Sequence, residues 1–214
     1  MLKAAVISNN VEGIEHMFNS NNNIQYTLLE ITKNFNPDFS GYDIVIVPNG
    51  SDNIAMFKIK DKIKSYLEDG NILFCFDGWF TDWVPGNKWM MDTQHKTIDI
   101  RYHIVNDKYQ LFSGIDLQKF IFSHGISGWW ACGHIETINV ENVLLTDTWN
   151  RPIIIVDETT TPGLMVLTAS GPMADQLFGT NDEGQTSWDE IGKFYQKIID
   201  FVSKRKKIEI ISTN

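Results

Sequence analysis

The sequence predicts an α/β domain of the three-layer, doubly wound kind, with a mainly parallel sheet. Strand-like and helix-like segments alternate along residues 1–76, and the strand-like segments are unbroken apolar runs. Strands of a parallel sheet have this composition because helices cover both of its faces. Three further strand-like segments follow one another late in the chain, which predicts a late β meander before a C-terminal helix.

The first part of the chain carries four predicted strands and two predicted helices. The strands are residues 3–8, 24–31, 43–47 and 72–76. Apolar side chains recur at helical spacing from Val11 to Phe18, which predicts the first helix. A longer apolar stripe over residues 54–67 predicts the second helix, which Gly70 ends with a C-terminal glycine signal.

The second part of the chain is less regular until it reaches the meander. Residues 79–140 hold five of the seven tryptophans and are predicted to be long loops, whereas residues 143–145, 153–156 and 164–167 are the meander strands. Ser187 and Glu190 have the spacing of a capping box at the start of the terminal helix. We predict one domain over residues 1–205 and a tail over residues 206–214, with the basic run 204–207 at the helix C-terminus.

Composition excludes several classes of partner. Eighteen basic and 27 acidic residues give a formal net charge of −9, which repels nucleic acid and anionic membrane surfaces alike. No apolar run approaches the roughly 20 residues of a membrane helix. Cys75 and Cys132 form no C-x-x-C pair, so neither a disulfide framework nor a thiolate zinc motif is predicted. We expect a cytoplasmic protein, without a cofactor, that can form homo-oligomers.

Three segments carry a resemblance to a known family. They are the turn Val47-Pro48-Asn49-Gly50, the glycine-led strand 70–77, and the late segment 143–171 with its proline-led strand and glycine turn. In this arrangement residues 1–205 resemble the flavodoxin-like, class I glutamine amidotransferase-like fold, and within it the ThuA-like (trehalose-utilisation) branch. The resemblance implies a role in carbohydrate metabolism.

The chain departs from that family at the positions that carry its chemistry. Working amidotransferases have a cysteine two residues before the glycine of the elbow, and counting back from Gly78 places Phe76 there. Asp77 stands where ThuA-like chains carry histidine, and the segment 169–173 lacks the histidine and acid of the family. His134-Ile135-Glu136 has the expected H-x-E spelling but precedes the late strands. The resemblance therefore implies a protein without glutaminase activity.

The candidate site lies where parallel strands end, because ligands of such sheets bind outside the carboxyl ends of the strands. Asp77 directly follows a buried strand and is the candidate catalytic residue, as a general acid or base, although an aspartate there also suits capping of the turn. Trp79, Trp83 and Trp130 are predicted to be exposed, where their rings would stack on a sugar. The predicted ligand-binding residues are Asn49, Gly50, Ser51, Gly78, Trp79, Trp83, His124, Trp130, His134, Ser170 and Gly171.

The leading hypothesis is therefore a protein that binds a small polar ligand, such as a sugar or sugar derivative, at the carboxyl edge of the sheet. Two alternatives stay open. In the first, the tryptophan-rich middle forms the interface of a non-catalytic assembly module. In the second, Cys75 is the nucleophile of a cysteine hydrolase, although its place in an apolar run favours core packing. Asp82, Asp92, Asp147 and the histidines lack the close spacing of a helical metal motif, so no metal site is predicted.

Overall fold

The computed structural model describes residues 1–8, 14–48, 52–76, 78–122, 129–171, 173–174 and 185–212. The elements in these ranges are, in chain order, β1 (Leu2–Ser8), α1 (Ile14–Met17), β2 (Ile24–Glu30), β3 (Ile44–Val47), α2 (Asn53–Lys58), α3 (Lys60–Glu68), β4 (Ile72–Phe76), β5 (Asn87–Met91), β6 (His103–Ile104), α4 (Leu117–Ile121), β7 (Gly133–Thr137), β8 (Val143–Thr146), β9 (Pro152–Asp157), β10 (Leu164–Thr168) and α5 (Gln185–Ser212). Two short 3₁₀ turns, Thr97–Asp99 and Val140–Asn142, complete them.

Eight of the strands form one mixed, mostly parallel sheet in the order β2-β1-β3-β4-β10-β9-β8-β6. The five strands from β2 to β10 run parallel, and β9, β8 and β6 then pair antiparallel in turn. The predicted α/β class, the meander and the C-terminal helix are therefore confirmed. The strands β1, β3, β4 and β10 are buried along almost their whole length, which explains their continuous apolar runs.

Helices cover the sheet on both faces. Phe74 and Phe76 point to one side of β4, where Phe74 meets the ring of Tyr195 on α5. Cys75 points to the other side, where it shares a small cavity with Met56 of α2. The alternating side chains of one strand thus contact opposite helical layers.

The predicted helix over residues 54–67 is two helices. Asp52 caps the first by accepting hydrogen bonds from the backbone N–H groups of Ile54 and Ala55. The helical path breaks at Ile59, whose backbone leaves helical geometry at φ −102° and ψ 11°, and α3 starts at the next residue. Periodicity did not reveal this break, because Ile59 and Ile63 are buried on the same core-facing side across it.

The irregular middle of the chain contains a two-stranded antiparallel ribbon, β5 with β7, where sequence predicted only loops. Trp89 points inward from the ribbon, and its indole N–H donates to the Ala169 carbonyl beyond β10 at 3.3 Å. Glycine is required at position 133, because a Cβ there would overlap the Met90 carbonyl and the Trp89 ring. The ribbon therefore lies closely against the sheet.

A buried carboxylate fastens this ribbon to the end of β9. Asp157 is 1% exposed and accepts hydrogen bonds from the side-chain amides of Asn87 at 2.9 Å and Asn142 at 3.0 Å. The backbone N–H groups and hydroxyls of Thr159 and Thr160 donate to the same carboxylate. Burial alone would raise the pKa of Asp157, but these hydrogen bonds outweigh burial and hold the pKa below its ordinary value.

The terminal helix extends to Ser212, so it continues through residues 206–212 of the segment that the sequence assigned to a tail. The basic run lies within the helix and reaches across to the sheet, because Arg205 pairs with Glu158 at 3.1 Å and Lys206 with Asp43 at 3.6 Å. The helix begins before Ser187, and Glu190 accepts a hydrogen bond from the backbone N–H of Asp116. No helix of the described ranges has the length and apolar character needed to cross a membrane.

We predict that Asp157→Asn lowers the free energy of unfolding by about 3 kcal/mol, because an amide NH₂ group would then face donors that need an acceptor. Urea unfolding at pH 7 measures the change. The control is Asp82→Asn, whose side chain is 78% exposed and which should stay within about 0.5 kcal/mol of the parent. Equal stability of Asp157→Asn and the parent would contradict this account of the ribbon.

Candidate functional site

The structure describes only part of the predicted site. Asn49, Gly50, Ser51, Asp77 and His124 lie outside the described residues, and their roles stay predictions. The remaining predicted residues fall into three places. Gly78, Trp79 and Trp83 follow β4; Trp130, Ser170 and Gly171 lie beyond β10; and His134 is on the ribbon.

The turn after β4 is held by the first residue of α2. The Asn53 side chain donates to the Gly78 carbonyl at 3.1 Å and accepts from the Phe80 backbone N–H at 2.8 Å. The backbone carbonyl of Asn53 accepts from the Thr81 hydroxyl. Gly78 has φ +67°, a left-handed conformation that suits glycine and strains other residues. The turn is thus shaped by the backbone and by one asparagine.

The predicted exposure of the tryptophans is wrong for two of the three. Trp79 and Trp83 are each 3% exposed, and the indole N–H of Trp79 donates to the Asn87 carbonyl at 3.3 Å. Trp130 is partly buried and packs edge-to-face against Phe122. Both rings are packed inside the chain: Trp79 bonds to the first residue of the ribbon, and Trp83 shares a small cavity with Met56 of α2 and with Cys75.

Trp130 and Ser170, two residues of the predicted site, lie next to each other because a hydrogen bond joins them. The Ser170 hydroxyl donates to the Trp130 carbonyl at 2.6 Å, and the Ser170 carbonyl accepts from the Thr168 hydroxyl. Ser170 is only 3% exposed. Its hydroxyl proton is used internally and is not directed at a ligand.

Cys75 is 1% exposed in the middle of the sheet, as its apolar surroundings predicted. A buried neutral thiol behaves as a small hydrophobic group and cannot meet a substrate. The alternative of a hydrolase that uses Cys75 therefore loses its physical basis.

A groove runs along the ribbon, and we call it the ribbon groove. Its volume is about 990 Å³. It is lined by Asp82, Val84, Pro85, Gly86, Asn87, Lys88, His134, Ile135, Glu136, Thr137, Ile138, Val140, Asn150 and Pro152. The size suits a small organic ligand, since such sites typically measure about 300–1,000 Å³.

One end of the ribbon groove lies at the carboxyl edge of the parallel strands. Strand β9 runs antiparallel to β10, and Ile154 pairs with Thr168, the last residue of β10. Pro152, at the start of β9, therefore lies at the edge where β10 ends. The ribbon groove reaches the edge at which sequence predicted a ligand, although it is formed by other residues.

His134 is the predicted site residue that lines the ribbon groove. It pairs with Met90 across the ribbon, and its Nδ1 atom is buried without a hydrogen-bond partner in the described part of the chain. Burial, followed by the positive charge of Arg151, lowers the pKa of His134 below its ordinary value. The ring is therefore neutral at pH 7 and offers one donor and one acceptor nitrogen.

Arg151 joins two carboxylates behind His134. Its Nη2 atom lies 2.6 Å from Asp92 Oδ2 and 2.7 Å from Asp147 Oδ2, and Asp147 is fully buried. Both aspartates had been candidate metal ligands, yet they bind the guanidinium. Among the residues that the structure describes, no three His, Cys, Asp or Glu side chains are grouped to hold a metal ion.

Sequence reasoning missed most of the ribbon groove. Lys88 and Glu136 face each other across the ribbon, and Asn150 also lines the groove. The available signal was weak: residues 87–91 alternate inward and outward only over their first three positions. Pairing of two such short segments about 45 residues apart has no local signature.

We predict that lowering the pH from 7.5 to 5.5 destabilises the protein partly through His134. Its folded pKa is lowered, so the unfolded chain binds the proton more readily below about pH 6.5, and stability is lost as pH falls through that region. The slope contributed is at most about 1.4 kcal/mol per pH unit, the value for one full proton. Urea midpoints at several pH values measure it.

His134→Gln should flatten this pH dependence, because the glutamine side chain does not titrate. His103→Gln is the matched control, because it makes the same substitution at an exposed histidine of β6, outside the groove lining. A slope that is the same in the parent and in His134→Gln would show that His134 is not the titrating group.

Comparison of the chain with protein-family models, with curated proteins and with solved structures finds no match. The function proposed below is accordingly based on the geometry of the described residues.

Proposed function

We propose that this chain binds a small organic ligand in the ribbon groove and has no glutaminase activity. The observation that carries the proposal is His134, a neutral and half-buried histidine in the wall of a groove of about 990 Å³. Its buried Nδ1 atom has no hydrogen-bond partner among the residues that the structure describes. A largely apolar groove with a few convergent polar groups and a histidine of perturbed pKa has the usual character of a ligand site.

The wall chemistry favours a ligand that has both hydroxyl groups and an apolar face. His134, Glu136 and Lys88 supply donors and acceptors along the ribbon. Val84 and Ile138 supply apolar surface on its flanks. A sugar or sugar derivative has this combination, because its ring C–H groups form an apolar face between hydroxyls.

Two positions support the absence of glutaminase activity. Phe76 occupies the place of the expected nucleophile and is fully buried. Cys75, the neighbouring thiol, is buried on the opposite side of the strand. Phe76 has no sulfur, and the sulfur of Cys75 is not accessible at the end of β4.

We also propose that the parallel half of the sheet is flavodoxin-like and related to the class I glutamine amidotransferase-like fold and its ThuA-like branch. The order β2-β1-β3-β4-β10 supports it, since it is the 2-1-3-4-5 order of flavodoxin-like sheets. The antiparallel strands beyond β10 and the ribbon are additions to that order.

A second candidate function is an interaction or assembly module. Ile138 and Val140, at the rim of the ribbon groove, are 85% and 73% exposed, which is unusual for neighbouring large apolar side chains. A protein partner would cover them, whereas a small ligand would leave them exposed to solvent.

We predict that a thermal-shift screen against sugars, sugar alcohols and sugar acids finds a compound that raises the Tm. At a concentration of 100 times its Kd, such a ligand adds about 2.7 kcal/mol, which corresponds to about 5–10 °C for a chain of this size. His134→Ala and Glu136→Ala should each reduce the shift by more than half. Glu141→Ala, at an exposed site outside the groove lining, should leave it unchanged.

Asp77→Ala tests the site predicted from sequence in the same screen. If that variant abolished the shift while His134→Ala preserved it, the ligand would bind at the end of β4 and the ribbon-groove proposal would be wrong. If no compound of the screen raised the Tm, and Ile138→Ser with Val140→Ser abolished association with a partner or a second copy, the assembly function would replace ligand binding.

A further inference from the structure

A second, smaller cavity lies at the end of the ribbon, and we call it the thiol cavity. It measures about 150 Å³, and its polar lining includes Asp92, His95 and Cys132. Cys132 is exposed and forms no disulfide. A thiol, an imidazole and a carboxylate around one cavity are the three groups of cysteine-based acyl transfer.

The ribbon brings Cys132 next to Asp92. The backbone N–H of Asp92 donates to the Cys132 carbonyl at 3.0 Å, which continues the β5–β7 pairing by one residue beyond Met91 and Gly133. The two residues thus face each other across the ribbon, and neither position depends on a long flexible side chain.

His95 is oriented by Asp92. Its Nδ1 atom lies 3.1 Å from Asp92 Oδ2, and its backbone N–H donates to Asp92 Oδ1 at 3.1 Å. An ionised carboxylate only accepts hydrogen bonds, so Nδ1 carries the proton and Nε2 of the neutral ring is the acceptor. The ring also stacks on Trp149 with a centroid distance of 3.8 Å, which limits its rotation.

Asp92 is itself held in place as a carboxylate. Arg151 Nη2 donates to its Oδ2 atom at 2.6 Å, and the backbone N–H of Gln94 donates to Oδ1 at 2.9 Å. Burial would raise the pKa of Asp92, but the hydrogen bonds from Arg151, Gln94 and His95 outweigh burial and keep the pKa well below its ordinary range.

We propose that Cys132 is the nucleophile of an acyl-transfer site, with His95 as its general base and Asp92 as the residue that positions His95. This activity goes beyond ligand binding in the ribbon groove and does not depend on it. The reacting thiol is Cys132, on the ribbon, and not Cys75, in the sheet.

The proposed reaction is a hydrolysis in two steps. His95 Nε2 takes the Cys132 proton as Sγ attacks the acyl carbonyl carbon; the S–C bond forms, the bond to the leaving group breaks, and the leaving group receives the proton from His95. Water then attacks the thioester while His95 takes a water proton. The C–O bond forms, the C–S bond breaks, and the proton returns to the thiol, so no oxidant or reductant is needed.

The thiol cavity admits only a small acyl group. A volume of about 150 Å³ is well below the roughly 300–1,000 Å³ of typical small-molecule sites. Met91, Ile100 and Ala131 add apolar surface to its lining. The cavity therefore suits short, apolar acyl groups such as acetyl or propionyl on an ester or thioester.

Alkylation of Cys132 by iodoacetamide, followed by mass spectrometry of its peptide, tests the role of His95. At pH 7.0 we expect the parent to react at least about tenfold faster than His95→Gln, because a thiol of ordinary pKa is only a few per cent ionised there. At pH 10 both thiols are ionised and the rates should agree within about twofold. His103→Gln, an exposed histidine on β6, should react like the parent at both pH values.

Asp92→Asn tests the positioning role. The pH midpoint of alkylation should move toward that of His95→Gln, whereas the rate at pH 10 should stay that of the parent. Arg151, Asp147 and His134, the other ionisable groups that act on this region, remain in every variant.

Acyl transfer is tested with p-nitrophenyl acetate, followed by absorbance at 405 nm. We expect a burst of about one p-nitrophenolate per chain and then slow turnover. Cys132→Ala and His95→Gln should lose the burst, and Cys75→Ala should keep it. The absence of a burst in the parent, its persistence in Cys132→Ala, or equal alkylation of the parent and His95→Gln at pH 7.0 would overturn the proposal.

Discussion

The hydrogen bonds to the buried carboxylate of Asp157 are the interaction on which the candidate sites depend. Asn87 begins β5, Asn142 ends a 3₁₀ turn, and Thr159 and Thr160 follow β9. By accepting hydrogen bonds from all four residues, the Asp157 side chain joins the ribbon, β9 and that 3₁₀ turn. A two-stranded ribbon is marginally stable by itself. It holds its position because a carboxylate removed from water must satisfy its acceptor capacity within the protein.

Arg151 connects one end of the ribbon, at Asp92, to the turn between β8 and β9, at Asp147. It neutralises Asp147, which is fully buried, and shares Asp92 with His95. Its positive charge also acts on His134, which stays neutral in the wall of the ribbon groove. One guanidinium therefore affects the protonation of the groove histidine through its charge, and the orientation of the cavity histidine through its hydrogen bond to Asp92.

The tryptophans show where composition alone misleads. Polar and glycine neighbours around Trp79 and Trp83 favoured exposure, yet both rings are buried. Exposure depends on what packs over a segment: Trp79 bonds to Asn87 at the start of the ribbon, which pairs with a strand about 45 residues away, and Trp83 lies against Met56 of α2. Glu190 gives a second example, because its side chain accepts a hydrogen bond from the distant backbone N–H of Asp116.

The sequence by itself determined the parallel strands, the meander, the terminal helix and the burial of Cys75. These follow from continuous apolar runs and from helical periodicity, which are local properties that burial on two faces imposes. Only the tertiary structure decided the ribbon, the ribbon groove and the meeting of Asp92, His95 and Cys132. Those features come from hydrogen bonds between distant segments, Asn87 with Asp157 and Arg151 with Asp92. No local sequence pattern identifies such partners, because only the folded chain brings them together.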